Sequence, residues 1–161
     1  GLPGWQPHAT DAPIDAPDIM PTLLGLCDVP IPDSVEGLDF SPVVRGEKDP
    51  SDGAALLMCP HCFGQWNKPE HAGREYRGLR TARYTYTRDL DGPWLLYDNR
   101  EDPFQLTNLV NAREHADLRN ELDRRLQARL DRLNDEFLPG TSYIRRWGYT
   151  VDEKGTVPFK W

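Results

Sequence analysis

Trp94-Leu95-Leu96-Tyr97-Asp98-Asn99-Arg100-Glu101-Asp102-Pro103-Phe104-Gln105-Leu106-Thr107-Asn108-Leu109 is an apolar run that breaks into an acidic, proline-bearing turn. Pro93–Tyr97 has the length and the aromatic and aliphatic make-up of a strand. Asp98 and Asp102 flank the turn before Pro103. Two nearby carboxylates can serve acid–base catalysis, but capping the N–H groups of a turn is the commoner use of Asp in such a place. Downstream, Leu118, Leu122, Leu126, Leu130, Leu133 and Phe137 recur every three or four residues, which predicts one amphipathic helix from Arg113 to Phe137. Asn111 with Glu114 three residues on reads as its capping box, and Pro139-Gly140 as its end.

Upstream, three more segments read as strands: Ala54–Met58, Glu75–Thr81 and Arg83–Arg88. Tyr84 and Tyr86 alternate with Thr85 and Thr87, the period-two pattern of a strand with one buried face. Asp89-Leu90-Asp91-Gly92-Pro93 supplies the Asp and Gly of a hairpin turn. The expected fold is α+β, an antiparallel sheet of about four strands packed by one long C-terminal helix. Leu118, Leu122, Leu126 and Leu130 are expected to dock on the sheet that contains Tyr84, Tyr86, Leu95 and Tyr97. Arg77 and Arg83 fall on one side of the strands and Arg80 on the other, with bidentate pairing to carboxylates as their expected role. Nearer the start, Asp15 or Asp18 can cap a short helix over residues 16–27, with Pro17 and Pro21 confined to its first turns. Its apolar residues Ile19, Met20, Leu23, Leu24 and Cys27 call for a partner surface. Residues 1–15 and 28–52 read as loop, with one helical turn at Ser41-Pro42-Val43-Val44. The tail 139–161 carries Tyr143, Trp147, Tyr149, Phe159 and Trp161 and is expected to pack back on the body.

Three of these segments together resemble the sulfatases. Arg80-Thr81-Ala82-Arg83-Tyr84-Thr85-Tyr86 is similar to that family's R-T-x-R-Y-x-Y pattern. Leu96-Tyr97-Asp98, followed by Asp102-Pro103 and Asn108-Leu109, is similar to its L-Y-D strand and D-P-x-x-x-x-N-L turn. Asp18-Ile19-Met20-Pro21-Thr22-Leu23-Leu24 resembles the D-x-x-P-T-L-L helix that closes the large catalytic domain. The resemblance implies that residues 1–52 are the tail end of a sulfatase α/β catalytic domain, 53–138 its C-terminal subdomain and 139–161 an aromatic-rich tail. It also implies hydrolysis of sulfate esters, calcium to hold the sulfate, a formylglycine nucleophile and a periplasmic or secreted setting. Formylglycine is made from the Cys or Ser of C/S-x-P-x-R, and that motif is absent here. Cys27 precedes Asp28-Val29, Cys59 precedes Pro60-His61, and Cys62 precedes Phe63-Gly64. The nucleophile and the calcium ligands are therefore expected in the remainder of the catalytic domain, which is this chain's expected partner. Phosphonate monoester hydrolases share the general architecture, which leaves a phosphoryl substrate open.

Composition narrows the alternatives. With 38% hydrophobic and 28% charged residues the chain is globular, and fifteen prolines with thirteen glycines make it rich in loops. A net charge of −7 argues against a nucleic-acid partner, which needs a clustered basic face. No apolar run approaches the roughly twenty residues of a membrane span. Cys59-Pro60-His61-Cys62 resembles the active site of thiol–disulfide oxidoreductases, but Gly64 and Pro69 oppose the long helix that such a site needs after its cysteines. Zinc needs four ligands, and no second C-x-x-C is present. Two loop thiols or a local disulfide is the plainer reading. Between strands, the loop after Cys59 gathers His61, Gln65, Trp66, Lys68, His71 and Arg74. Trp66 can stack on a sugar ring, and the others can bind hydroxyls or anionic groups. The resemblance implies that loops of this subdomain lean over the active-site mouth, so these six residues are the expected substrate contacts on the leaving-group side of a sulfated carbohydrate. A non-catalytic glycan- or partner-binding module is the alternative, and an oxidoreductase using Cys59 and Cys62 a further one.

Overall fold

A computed structural model of the chain describes residues 9–62, 64–71 and 73–159. The chain divides into two compact units, Gly1–Leu56 with Arg80–Arg83, and Leu57–Leu79 with Tyr84–Trp161.

In the first unit a 3-10 turn at Ala16–Asp18 runs into α1, Ile19–Leu26. Pro17 and Pro21 sit in these opening turns, where a missing N–H costs little. Asp18 is buried, and its carboxylate accepts hydrogen bonds from the Asp15 N–H at 3.0 Å and the Leu38 N–H at 2.8 Å. Those bonds offset the cost of burying a charge. Ser41–Val44 forms the single expected helical turn, α2. Pro21, Phe40, Val43, Ala54 and Ala55 are buried here, while Ile19, Met20 and Leu23 of α1 stand exposed.

Four strands form one antiparallel sheet in the order β1-β2-β3-β4: β1 Ala54–Cys59, β2 Tyr76–Thr81, β3 Tyr84–Asp89 and β4 Gly92–Asp98. The β3–β4 hairpin turns through Leu90-Asp91, and the Asp89 carboxylate accepts the N–H groups of Asp91 and Gly92. Gly92 takes φ 129°, a conformation that L side chains rarely adopt. A bulge falls between Thr87 and Arg88.

The long helix begins later than its periodicity suggested. Arg113–His115 is a 3-10 turn and α3 runs Ala116–Leu133. The expected capping box does not form, because the cap position is Ala112, which has no polar side chain to offer. The helix also ends sooner. Asn134 adopts φ 53°, ψ 34°, a left-handed conformation that Asn tolerates, and the Asp135 N–H closes back on the Leu130 carbonyl at 2.9 Å. Phe137 therefore lies beyond the helix. Pro139-Gly140 starts a new short helix, α4 Gly140–Arg146.

Leu122, Leu126 and Leu130 of α3 are buried, as are Leu79, Tyr86 and Leu96 of the sheet. Tyr86 donates its hydroxyl to Asp123 Oδ1 at 2.8 Å, and Arg88 reaches Asp123 and Gln127, so α3 is tied to β3 by polar bonds as well as apolar burial. Register sorts the sheet residues between its two faces. Tyr86 pairs with Leu96, whereas Leu95 and Tyr97 pair with Thr87 and Thr85. Paired residues share a face and neighbours alternate, so Leu96 joins Tyr86 against the helix, and Leu95 and Tyr97 face the other way. That second face is not wet either: Thr85 and Thr87 are buried, and the Thr85 hydroxyl bonds Asn99 and Gln105.

The acidic turn caps backbone. Asp98 Oδ1 accepts the N–H groups of Arg100 and Glu101, and Asp102 Oδ2 accepts that of Thr107. Asn108 lies along β4, taking the Leu96 N–H on its Oδ1 and donating Nδ2 to the Trp94 carbonyl, while the Leu109 N–H bonds the Leu96 carbonyl. Three of the edge strand's outward donors and acceptors are thereby satisfied.

Candidate functional site

The loop between β1 and β2 folds as two 3-10 turns, Gly64–Asn67 and Pro69–His71. Gly73 lies directly against the first of them. A Cβ there would sit 2.1 Å from the Trp66 carbonyl oxygen, so only glycine permits the approach. The loop closes on itself and carries Trp66 and His71 edge to face, with ring centroids 5.8 Å apart.

The same cleft holds a second aromatic group. Arg74 lies over the Trp94 ring, 4.6 Å from its centroid, and Tyr76 meets the same ring at 5.8 Å. Arg74 Nη1 also donates to Asp89 Oδ2 at 2.6 Å. The hairpin turn that orders Asp89 thus fixes Arg74, and Arg74 fixes the indole of Trp94 through a cation–π contact. Both groups line one cleft of about 510 Å³, together with Cys59 and Cys62. This is the size and chemistry of a small-ligand pocket, mostly aromatic with a few polar groups to set orientation. Trp66 is 54% exposed, so its ring is open to a ligand.

Of the six residues expected from sequence, Trp66, His71 and Arg74 come together at the cleft. Gln65 and Lys68 are exposed on the loop and do not line it. His61 lies elsewhere, packed under the start of α4. A Cβ on Gly140 would meet His61 Nδ1 at 2.5 Å, and that nitrogen is 3.8 Å from Glu75 Oε1. Tyr76 and Trp94 were missed. Both belong to strands whose apolar pattern reads as core, and the sheet register that places them beside the loop leaves no local signal.

Cys59 and Cys62 are free thiols. Burial, together with neighbouring Cys59, pushes the Cys62 thiol up to about 11, opposite to the depression that activates a catalytic C-x-x-C thiol. With reductant present, alkylation should therefore label exposed Cys27 quickly at neutral pH. Labelling of Cys62 should be slow and still be rising near about pH 10. A Cys62 rate that levels off near neutrality would restore the oxidoreductase reading.

The model for "N-sulphoglucosamine sulphohydrolase, C-terminal" matches residues 6–132. An ulvan-active sulfatase of Formosa agariphila is 39% identical over 99% of this chain and 30% of its own length. An endo-4-O-sulfatase of Bacteroides thetaiotaomicron is 34% identical over 81% of this chain and 28% of its own. The chain thus spans less than a third of the curated relatives it matches. Among solved structures, a protein in complex with its substrate D-glucosamine-2-N,6-O-disulfate superposes with TM-score 0.61 at 25% identity, covering 76% of this chain and 25% of that one. A phosphonate monoester hydrolase of Silicibacter pomeroyi gives TM-score 0.62 at 25% identity over 95% of this chain and 30% of that one. The family match extends over most of the chain and takes in the sheet, the capped acidic turn and nearly all of α3, so the chain belongs to the sulfatases and corresponds to their C-terminal portion.

Proposed function

We propose that the protein to which this chain belongs hydrolyses sulfate esters of a carbohydrate, and that the chain supplies the surface that grips the sugar on the leaving-group side. The observation that carries this is the cleft, lined by the open indole of Trp66 with His71 beside it and by the Trp94 indole that Arg74 holds. An exposed indole in an aromatic-lined cleft suits the apolar C–H face of a pyranose, and His71 with Arg74 offers donors to its hydroxyl or anionic substituents. The relatives' names, which include a sulfated glucosamine substrate, support the same class.

The calcium and formylglycine of such an enzyme do not fit residues of this chain. Among the described residues no three His, Cys, Asp or Glu side chains gather to hold a metal, and the sequence has no C/S-x-P-x-R. Bond cleavage is accordingly assigned to the remainder of the protein, and this chain's part is to bind and orient.

Whole-protein assays with Trp66→Ala and His71→Ala test the assignment. Each should weaken kcat/KM on a sulfated disaccharide by about 1–3 kcal/mol, the worth of a stacking or hydrogen-bonding contact. Hydrolysis of a small aryl sulfate, too short to reach the cleft, should be nearly unchanged. Parallel losses on both substrates would reassign the loop to a structural role. The likeness to a phosphonate monoester hydrolase favours a second reading, a phosphoryl substrate, and faster turnover of an aryl phosphonate monoester than of the aryl sulfate would select it.

A further inference from the structure

We propose that Cys59 and Cys62 are a disulfide-forming pair that, on meeting a disulfide oxidant, closes a four-residue ring in the wall of the aromatic cleft. Cys59 is the last residue of β1 and Cys62 the buried residue just after the turn. Both line the cleft, and only Pro60 and His61 separate them in the chain. The turn between them is held from two sides. Arg77 Nη1 donates to the Cys59 carbonyl at 3.4 Å, and Gly140 packs so tightly on Pro60 and His61 that a Cβ would fall 2.7 Å from the Pro60 carbonyl oxygen. Pro60 further restricts the backbone. Two thiols at the ends of one fixed turn thus line the same cleft, in a setting with too few ligands for a metal among the described residues.

The chemistry balances with a low-molecular-weight disulfide such as oxidised glutathione. Cys59, the more accessible thiol, attacks as its thiolate one sulfur of the oxidant and releases one glutathione thiolate. The Cys62 thiolate then attacks Cys59 Sγ in the mixed disulfide and expels the second. The two protein protons end on two glutathione molecules, and the oxidant's disulfide is replaced by the protein's. A Cys62 thiol that resists ionisation is a poor leaving group, so the bond once made is slow to reduce, unlike that of a C-x-x-C enzyme. The bond itself does not depend on the sulfatase reading.

The test uses the whole folded protein, reduced with dithiothreitol, desalted and then held with oxidised glutathione. After N-ethylmaleimide quenching and denaturation, trypsin releases residues 49–74, which contain both cysteines with no Lys or Arg between them, Lys68 being shielded from cleavage by Pro69. The expected peptide is two hydrogens lighter than the reduced form and carries no maleimide. In Cys62→Ser the second step is lost, and Cys59 should remain as a glutathione adduct. If that variant does not fold, the wild-type peptide decides alone. A wild-type peptide bearing two maleimides, or one maleimide and one glutathione, would overturn the proposal.

Discussion

Arg77→Ala is expected to destabilise the protein by about 3–5 kcal/mol, because it strips the partner from a carboxylate only 14% exposed and itself removes a buried guanidinium. The Arg77 side chain is 3% exposed, and its Nε and Nη2 reach the two carboxylate oxygens of Asp135 at 2.5 and 3.2 Å. Phe137 lies beneath the guanidinium, 4.7 Å from ring centroid to Cζ. Asp135 also accepts the Phe137 N–H at 2.9 Å and the Tyr143 hydroxyl at 3.1 Å. One carboxylate therefore joins β2, the chain leaving α3, and α4. Against a usual domain stability of roughly 5–15 kcal/mol, its loss is large. Urea denaturation with the m-value held constant measures it, and a change under about 1 kcal/mol would show that the pair is not a structural hub.

The same pair carries a pH signature. Burial alone would raise the Asp135 carboxyl, but the Arg77 guanidinium, the Phe137 N–H and the Tyr143 hydroxyl outweigh it and hold the group below its ordinary value of 3.8. A carboxyl depressed in the folded state adds stability that is fully present above the unfolded value and is lost as pH falls through the folded one. The stability gap between wild type and Arg77→Ala should therefore be constant above about pH 5 and narrow as the solution becomes more acidic than about pH 4. A gap that is flat across this range would mean that Asp135 contributes nothing through its charge.

Leu126→Ala is expected to cost about 2–5 kcal/mol, from lost burial and the cavity left behind. Leu126 is fully buried midway along α3, between buried Leu122 and Leu130. Leu133, at the exposed end of the same stripe, has 46% of its surface in solvent, so Leu133→Ala should cost about 1 kcal/mol or less. Equal small effects at the two positions would mean that α3 is not docked through the middle of its stripe.

Sequence alone determined the local elements. Period-two alternation, period-3.6 spacing and turn chemistry are properties of neighbouring residues. The four strands, the amphipathic helix, the single turn at Ser41–Val44 and the Asp89–Gly92 hairpin were thus all legible. So was the capping use of Asp98 and Asp102, and the motifs in Asp18–Leu24, Arg80–Tyr86 and Leu96–Leu109 carried the family. Tertiary structure decided what local pattern cannot hold. Register against β3 turned Leu96, not Leu95 or Tyr97, toward the helix, since a one-residue choice exchanges the two faces of a strand. The left-handed turn at Asn134 ended α3 before Phe137 and left that ring beneath Arg77. Of the loop's polar residues, packing gave the cleft only Trp66, His71 and Arg74, and supplied Tyr76 and Trp94 from strands far off in sequence. A ligand surface is made of side chains that meet only when the sheet is paired, so its membership is fixed by long-range register, whereas each strand and helix is fixed by its own few residues.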